Sequence, residues 1–308
     1  MGRSIKLSSK GYAAAALSAA GFGAMGLFAQ SAYAAGWPPE LLLAARFSIA
    51  AILFWAFMPL SGGGWRVSRK TLFQLAGMGI AGYALMALLL FFAYRFIPVG
   101  AAVTVFYTYP IWVSLLHARK SRAKTGVLQY APPAVSFIGL VVMFMSNWEK
   151  AASDQALGYF LALFCSVVYA LYILVSEHVL KQSSAYVSSA YIAGFAAIPL
   201  IAVAWMTGSL DGLAGPGSLQ AWGAAGGLAL FSTFGAITLF AYGVRLLGPN
   251  RASVISYLEP ILAAALSAAF LQQYLTPQQI TGGVIVLVGV LFMQRKDART
   301  HGLRPDMV

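Results

Sequence analysis

The stretches Tyr107-Thr108-Tyr109-Pro110 and Tyr257-Leu258-Glu259-Pro260 lie 150 residues apart, and each falls within a long apolar run. The same offset, without gaps, pairs further identical residues: Ala102 with Ala252, Ile111 with Ile261, Leu116 with Leu266, Gln129 with Gln279, Gly139 with Gly289 and Met143 with Met293. A proline inside an apolar segment in each of two related halves is typical of duplicated membrane proteins. The sequence therefore predicts two structural repeats embedded in a bilayer.

The composition excludes an ordinary soluble domain. Of the 308 residues 60% are apolar and 9% are charged, whereas soluble domains average about 25% charged residues. The formal net charge is +12, but the charged residues are concentrated in short segments between apolar runs. This distribution does not indicate a nucleic-acid surface.

Ten apolar runs have the length of about 20 residues that a helix needs to cross a bilayer. They cover residues 11–36, 38–60, 71–94, 97–117, 126–146, 157–176, 186–207, 219–244, 250–271 and 277–294. The predicted fold class is therefore an all-α polytopic membrane protein with ten transmembrane helices.

The loops between these runs differ in charge on the two sides of the membrane. Seventeen of the 20 Lys and Arg residues lie in the two tails and in the loops near 61–70, 118–125, 177–185 and 245–251. The other loops hold Arg95 and Lys150 together with four acids. Because basic loops favour the cytoplasmic side, both termini are predicted to be cytoplasmic, in the cytoplasmic (inner) membrane of a bacterium.

The predicted domains are residues 1–150, with spans one to five, and residues 151–308, with spans six to ten and a short basic tail. An odd number of spans in each half means that the second copy enters the membrane from the other face. The two repeats are therefore predicted to be inverted, as in many secondary transporters.

The first span has one alternative interpretation. Basic residues, an apolar run and Ala32-Tyr33-Ala34 resemble a cleavable signal peptide. The run from Gly11 to Gly36 is longer than the 7–15 residues of such a core, and cleavage would leave nine spans. The sequence favours an uncleaved first span.

Glu259 is the strongest candidate for a functional residue. It lies roughly eight residues into the ninth predicted span, about 12 Å deep, where an ionisable group needs a cavity or a partner. It either binds a proton or a substrate amine, or it has a structural role, neutralised by burial or by an arginine. The sequence does not decide between these interpretations.

Arg46, about seven residues into the second predicted span, is the other charge within an apolar run, and the repeat offset places Ala196 opposite it. It could bind a substrate carboxylate, pair with Glu259, or extend to the headgroup region. A structural or gating ion pair is favoured slightly over direct contact with substrate.

Prolines and aromatic residues meet near the predicted midplane. Pro110 and Pro260 are expected to kink their helices and to free the carbonyls of Phe106 and Ser256. Aromatic rings with polar groups suit an organic or amine-bearing solute, although packing explains many such residues. The candidate substrate-binding aromatics are Tyr83, Tyr107, Tyr109, Trp112, Tyr172 and Tyr257.

Several sequence stretches resemble the EamA-type branch of the drug/metabolite transporter superfamily. In the second half they are the segment Leu246-Leu247-Gly248-Pro249-Asn250-Arg251-Ala252-Ser253, Leu258-Glu259-Pro260, Leu275-Thr276-Pro277-Gln278-Gln279, Gly282-Gly283 and Gly289. In the first half they are Ala45-Arg46-Phe47 and Tyr107-Thr108-Tyr109-Pro110. The resemblance covers residues 11–294. Acidic residues common in the family are absent from Gln272-Gln273 and from His117-Ala118-Arg119-Lys120.

This resemblance implies a ten-helix bundle around a central cavity, and export or exchange of small metabolites such as amino acids. Transport would be proton-coupled or facilitative, by a monomer or a homodimer. No spacing for a metal site and no nucleotide-binding motif is found, so no cofactor is predicted.

Two other function classes compete with transport. A membrane-embedded enzyme acting on lipids would usually need several acids or histidines near Glu259, and the sequence has no second acid there. A sensor or scaffold without transport activity is the main alternative, but the chain has no long polar segment for a soluble domain.

Overall fold

The computed structural model describes residues 2–61, 64–93, 95–97, 99–121, 130–145, 155–214, 218–271 and 275–300. Within these ranges the chain forms α-helices and short helical turns, and none of the described residues lies in a β-strand. The α-helices are α1 (Gly2–Gly23), α2 (Met25–Ala34), α3 (Pro39–Ala56), α4 (Arg69–Gly77), α5 (Leu85–Ala93), α6 (Val99–Phe106), α7 (Tyr109–Ser121), α8 (Ala131–Phe144), α9 (Ala156–Val179), α10 (Ala185–Met206), α11 (Ser218–Gly227), α12 (Ala236–Leu247), α13 (Pro249–Ile255), α14 (Leu258–Leu271) and α15 (Pro277–Thr300).

Eight helical stretches are long and apolar enough to cross a bilayer, and they match the first four predicted spans and spans six to nine. They are Ser9–Ala34, Pro39–Ala56, Arg69–Ala93, Ala101–Arg119, Ala156–Val179, Ala185–Met206, Leu219–Leu247 and Pro249–Phe270. The fifth and tenth predicted spans correspond to the shorter apolar helices Ala131–Phe144 and Pro277–Met293. Residues 126–129, where the fifth span was predicted to begin, lie outside the described ranges. The protein is thus an all-helical multi-pass membrane protein.

The helix ends gather on two sides of the bundle. On one side the Thr71 hydroxyl, near the start of α4, donates to the Gln182 side chain after α9 at 2.9 Å. On the other side Glu40, at the start of α3, pairs with Arg95 after α5 at 2.6 Å. We call the first the basic side, because Arg69, Lys70 and Lys181 flank these two residues, and the second the opposite side.

The helices of the two halves pack in matching pairs. Helix α1 packs against α12 and α14, and α9 packs against α5 and α7. The repeat offset of 150 residues relates α1 to α9, α12 to α5 and α14 to α7. The pairs α3 with α10 and α8 with α15 join helices that are themselves related by the offset. The packing therefore follows the duplication in the sequence.

Two π-helical segments also lie at positions related by the repeat. One covers Met78–Ala84 between α4 and α5, and the other covers Leu228–Gly235 between α11 and α12. Their first residues are 150 positions apart. Such segments interrupt the regular hydrogen-bond ladder and occur often at functional sites. Neither segment was predicted from the sequence.

Glycines bring α8 and α15 into close contact. A Cβ on Gly139 would lie 2.6 Å from the Gly282 carbonyl oxygen. A Cβ on Gly282 would meet the Gly139 backbone in return, and would lie 2.6 Å from the backbone nitrogen of Met143. Small residues allow this approach, which is a common source of helix association in membranes.

Replacing Gly282 with alanine is expected to destabilise the protein by roughly 1–3 kcal/mol, because the added methyl group overlaps backbone atoms. The neighbouring Gly283 is a matched control, since the nearest atoms to a Cβ there belong to Ile261 and lie 3.9 Å away. Unfolding in detergent, followed by circular dichroism, measures the difference. Equal losses of stability for the two variants would contradict this account of the α8–α15 contact.

Candidate functional site

Glu259 lies in the first turn of α14, ten residues after Pro249, and therefore about 15 Å from the basic side. Its carboxyl group is hydrogen-bonded with the Tyr107 hydroxyl. Tyr107 itself is 3% exposed, whereas Glu259 remains partly accessible. Because its bonded partner is buried in the core, Glu259 faces the interior of the bundle.

Each proline of the repeat follows a break in its helix. Helix α6 ends at Phe106 and α7 begins at Tyr109, while α13 ends at Ile255 and α14 begins at Leu258. The Tyr257 hydroxyl donates to the Tyr107 carbonyl at 2.9 Å, and their rings stack with centroids 6.0 Å apart. The two breaks, one from each half, are therefore bonded directly to each other.

The prediction of a free Ser256 carbonyl is wrong. The backbone nitrogen of Glu259 donates to this oxygen at 3.0 Å. The helix turns more tightly before Pro260, so an N–H three residues ahead replaces the one that the proline lacks. The Ser256 carbonyl is therefore already hydrogen-bonded within its own helix.

The tyrosines around Glu259 form one cluster, which we call the tyrosine cluster: Tyr83, Tyr107, Tyr109, Tyr169 and Tyr172. The ring of Tyr169 lies at its centre, with centroids 4.8 Å from Tyr109 and 5.6 Å from Tyr172. Tyr83 contacts Tyr172 at 5.3 Å, and Tyr107 contacts Tyr109 at 5.8 Å. Four of the predicted aromatic residues thus meet in space.

Tyr169 had not been chosen from the sequence as a site residue. It is 6% exposed, lies on α9 one turn before Tyr172, and stacks on Tyr172 with an interplanar angle of 6°. The three-residue spacing of these tyrosines on one helical face could have identified it. On the same helix, the Ser166 hydroxyl is hydrogen-bonded to Thr108, at the break in the fourth span, at 2.7 Å.

Trp112 has different surroundings. It lies on α7, partly buried against the core, and within the described ranges its ring stacks on none of the tyrosines. Its indole nitrogen is buried without a hydrogen-bond acceptor in the described part of the chain. The structure therefore does not bring Trp112 into the tyrosine cluster.

Arg46 is anchored to the second π-helical segment. Its Nε donates to Thr233 Oγ1 at 2.6 Å, and one terminal nitrogen donates to the Ser232 carbonyl at 3.0 Å. The other terminal nitrogen lies 3.2 Å from the sulfur of Met25. The residue is 5% exposed, so it is buried between helices and does not extend to the headgroup region.

In the described structure Arg46 does not form the ion pair that was favoured from the sequence. Within the described ranges no carboxylate oxygen lies within 4.0 Å of Arg46, and the described ion pairs are Arg95 with Glu40 and Lys181 with Glu177. Arg46 and Glu259 still attract each other electrostatically over a longer distance. A carbonyl and a hydroxyl of the π-helical segment accept hydrogen bonds from the guanidinium instead.

The sequence profile of the EamA-like transporter family matches residues 9–145 and again residues 156–295. The protein belongs to the EamA-like transporter family. Members of this family are transporters and not enzymes.

Curated relatives of this EamA-like protein carry transporter names. The uncharacterized transporter sll1319 of Synechocystis is 26% identical over 266 residues, covering 82% of this chain and 78% of its own. The uncharacterized transporter YcbK of Bacillus subtilis is 25% identical, covering 90% and 91%. The uncharacterized inner membrane transporter YedA of Escherichia coli K12 is 26% identical, covering 83% and 81%.

A protein of known crystal structure shares the fold. The superposition has a TM-score of 0.80 and covers 95% of this chain and 99% of the other, at 19% sequence identity. At this identity the likeness concerns the fold alone. The helical arrangement of the EamA-like protein is therefore one already seen in an experimental structure.

Proposed function

We propose that this EamA-like protein is a secondary transporter that exports or exchanges small organic metabolites, such as amino acids, by alternating access. The observation that carries the proposal is the position of Glu259, a carboxylate held among tyrosines where the two repeats meet. An ionisable group at this depth is by default a functional site. The proposed substrate site of the protein comprises Glu259 and the tyrosine cluster. Arg46 lies outside this site and attracts Glu259 electrostatically.

The proposed topology has ten spans in two inverted repeats, residues 1–150 and 151–308, with both termini in the cytoplasm of a bacterium. The paired packing of α1 with α12 and of α9 with α5 supports it, as do the related π-helical segments. YedA is named as an inner membrane transporter, which supports the same membrane for this protein. The chain works as a monomer or a homodimer in lipid.

A conformation that is closed on the basic side fits alternating access. Helices α7 and α13, the basic-side parts of the fourth and ninth spans, pack together. The Ser114 and Asn250 side chains are hydrogen-bonded there at 2.5 Å. In the described structure α6 and α14, on the opposite side, do not form an equivalent packed pair. Solute then reaches Glu259 from the opposite side.

The repeat relates α7 to α14 and α13 to α6, so an exchange of conformations between the halves would bring α6 and α14 together. The positions related to Ser114 and Asn250 are Ala264 and Gly100. Both are small, which permits helices to approach closely. This pair is our proposed closing contact of the second state.

Cysteine labelling tests the orientation. In a Cys165→Ala background, Arg66→Cys and Arg119→Cys are expected to resist an impermeant thiol reagent added to intact cells, whereas Asp211→Cys is expected to react. All three positions are exposed, and Arg66 and Arg119 belong to basic loops that favour the cytoplasm. Labelling after permeabilisation is the control for reactivity. The reverse pattern would invert the proposed topology.

Counterflow in proteoliposomes tests transport itself. Vesicles containing the purified protein are preloaded with a mixed pool of amino acids and related amines, and uptake of each labelled solute is measured without an ion gradient. Saturable exchange of at least one solute, absent from protein-free vesicles, is the expected result. A lack of exchange for amino acids, amines, nucleosides and amphiphilic cations alike would contradict the proposal.

A further inference from the structure

The acidic residues of the described structure differ in whether they have a basic partner. Glu40 pairs with Arg95 at 2.6 Å, Glu177 pairs with Lys181 at 3.5 Å, and Asp211 lies in an exposed turn. Among the described residues, Glu259 has no basic nitrogen within 4.0 Å. It is therefore an unpaired carboxylate in the middle of the bundle, which favours a cation in its vicinity.

The basic group that interacts electrostatically with Glu259 is Arg46, which is already held by the protein. Arg46 uses three of its five N–H donors on Thr233, the Ser232 carbonyl and the Met25 sulfur, and it is 5% exposed. This burial between helices disfavours a bidentate ion pair between the guanidinium and a solute carboxylate. Of these two residues, it is the acid, Glu259, whose side chain remains partly accessible.

The groups around Glu259 suit a cation in a second way. The oxygens of Tyr83, Tyr107, Tyr109 and Tyr169 all interact electrostatically with this carboxylate. Phenol oxygens accept hydrogen bonds from an ammonium group, and aromatic rings attract cations to their faces. Among the described residues the site thus offers a carboxylate, hydroxyl oxygens and rings, and it offers no free basic side chain.

We infer that the central site selects organic cations, and in particular amines that carry an aromatic body and no carboxylate. The ammonium group binds Glu259 and hydroxyl oxygens of the tyrosine cluster, and the aromatic body packs against its rings. This inference rests on the proposed function and narrows it, because an amino acid would bring a carboxylate for which the site has no free partner. A carboxylate buried without a partner weakens binding strongly.

Three solutes with the same ring test whether the site prefers a cation, a zwitterion or an anion. Tyramine is the cation, tyrosine the zwitterion and 3-(4-hydroxyphenyl)propionate the anion. Affinity for the purified protein in detergent is measured by isothermal titration calorimetry. Tyramine is expected to bind at least about tenfold more tightly than tyrosine, and the anion more weakly still. Glu259→Gln is expected to remove most of the preference for tyramine, while Glu177→Gln, at the basic side, leaves it unchanged.

Other outcomes would overturn the inference in distinguishable ways. Tyrosine binding as tightly as tyramine, with a selective loss of tyrosine affinity in Arg46→Gln, would mean that a zwitterion bridges Glu259 and Arg46. The absence of tyramine binding would exclude an aromatic amine site. In either case counterflow of another solute would leave the proposed transport function intact, whereas the failure of counterflow with every solute would reject transport as well.

Discussion

Replacing Glu259 with glutamine is expected to reduce counterflow by at least about thirtyfold, equivalent to about 2 kcal/mol of lost interaction with the solute. The amide has nearly the same shape and can still accept a hydrogen bond from Tyr107, so the helix break is retained. What is lost is the negative charge in the interior of the bundle. Exchange should also lose its dependence on pH if Glu259 is the group that binds and releases a proton, because a glutamine amide does not titrate in this range.

The other groups that face this carboxylate leave few alternative sources for a pH dependence of exchange. They are Arg46 and the hydroxyls of Tyr83, Tyr107, Tyr109 and Tyr169. Arginine remains protonated in proteins, and the tyrosines contribute hydroxyl groups. Glu259 therefore supplies the carboxyl group of this set. Glu177→Gln is the matched control, because Glu177 lies near the basic side and pairs with Lys181. If the Glu259→Gln variant exchanges solute at the wild-type rate and with an unchanged pH profile, Glu259 has only a structural role.

A disulfide between cysteines at positions 114 and 250 is expected to abolish exchange, and a reducing agent is expected to restore it. The wild-type side chains, Ser114 and Asn250, are hydrogen-bonded at 2.5 Å across the α7–α13 contact, so the two positions face each other. If alternating access requires α7 and α13 to separate, a covalent link holds the protein closed on the basic side. The experiment uses the Cys165→Ala background, with exchange measured before and after oxidation.

A second disulfide serves as the control. Thr71 and Gln182 are also hydrogen-bonded on the basic side, at 2.9 Å, but they join α4 to the segment after α9. The third and sixth spans, next to which these residues lie, pack together mainly through α5 and α9. This link should form and leave exchange intact. Full exchange by the protein crosslinked between positions 114 and 250 would mean that the α7–α13 contact does not open during transport.

The pair of cysteines at Gly100 and Ala264 extends this test to the opposite side. The repeat predicts that these positions meet when α6 and α14 come together, so crosslinking should be slow without solute and faster during exchange. Crosslinking at the same rate in every condition would argue against an exchange of conformations between the two halves.

Much of the architecture follows from the sequence because a bilayer imposes simple requirements. Apolar runs of about 20 residues predict helices, and eight of the ten predicted spans are found at spanning length. The offset of 150 residues predicted the duplication, and the family profile matches both copies. The two prolines marked the places where α6 and α13 end, since a proline removes a hydrogen bond from its helix.

The sequence alone therefore determined an all-helical membrane protein with two repeats, an acid deep in the ninth predicted span, and a group of aromatic residues near it. Only the tertiary structure decided the partners of these residues. Arg46 bonds Thr233 at a separation of 187 residues, and Tyr257 bonds the backbone of Tyr107 at a separation of 150. Local patterns report the environment of a residue through hydrophobicity and helical period. They carry no information about which distant helix supplies a hydrogen bond, because that depends on how whole helices pack and on backbone irregularities such as the π-helical segment that receives Arg46.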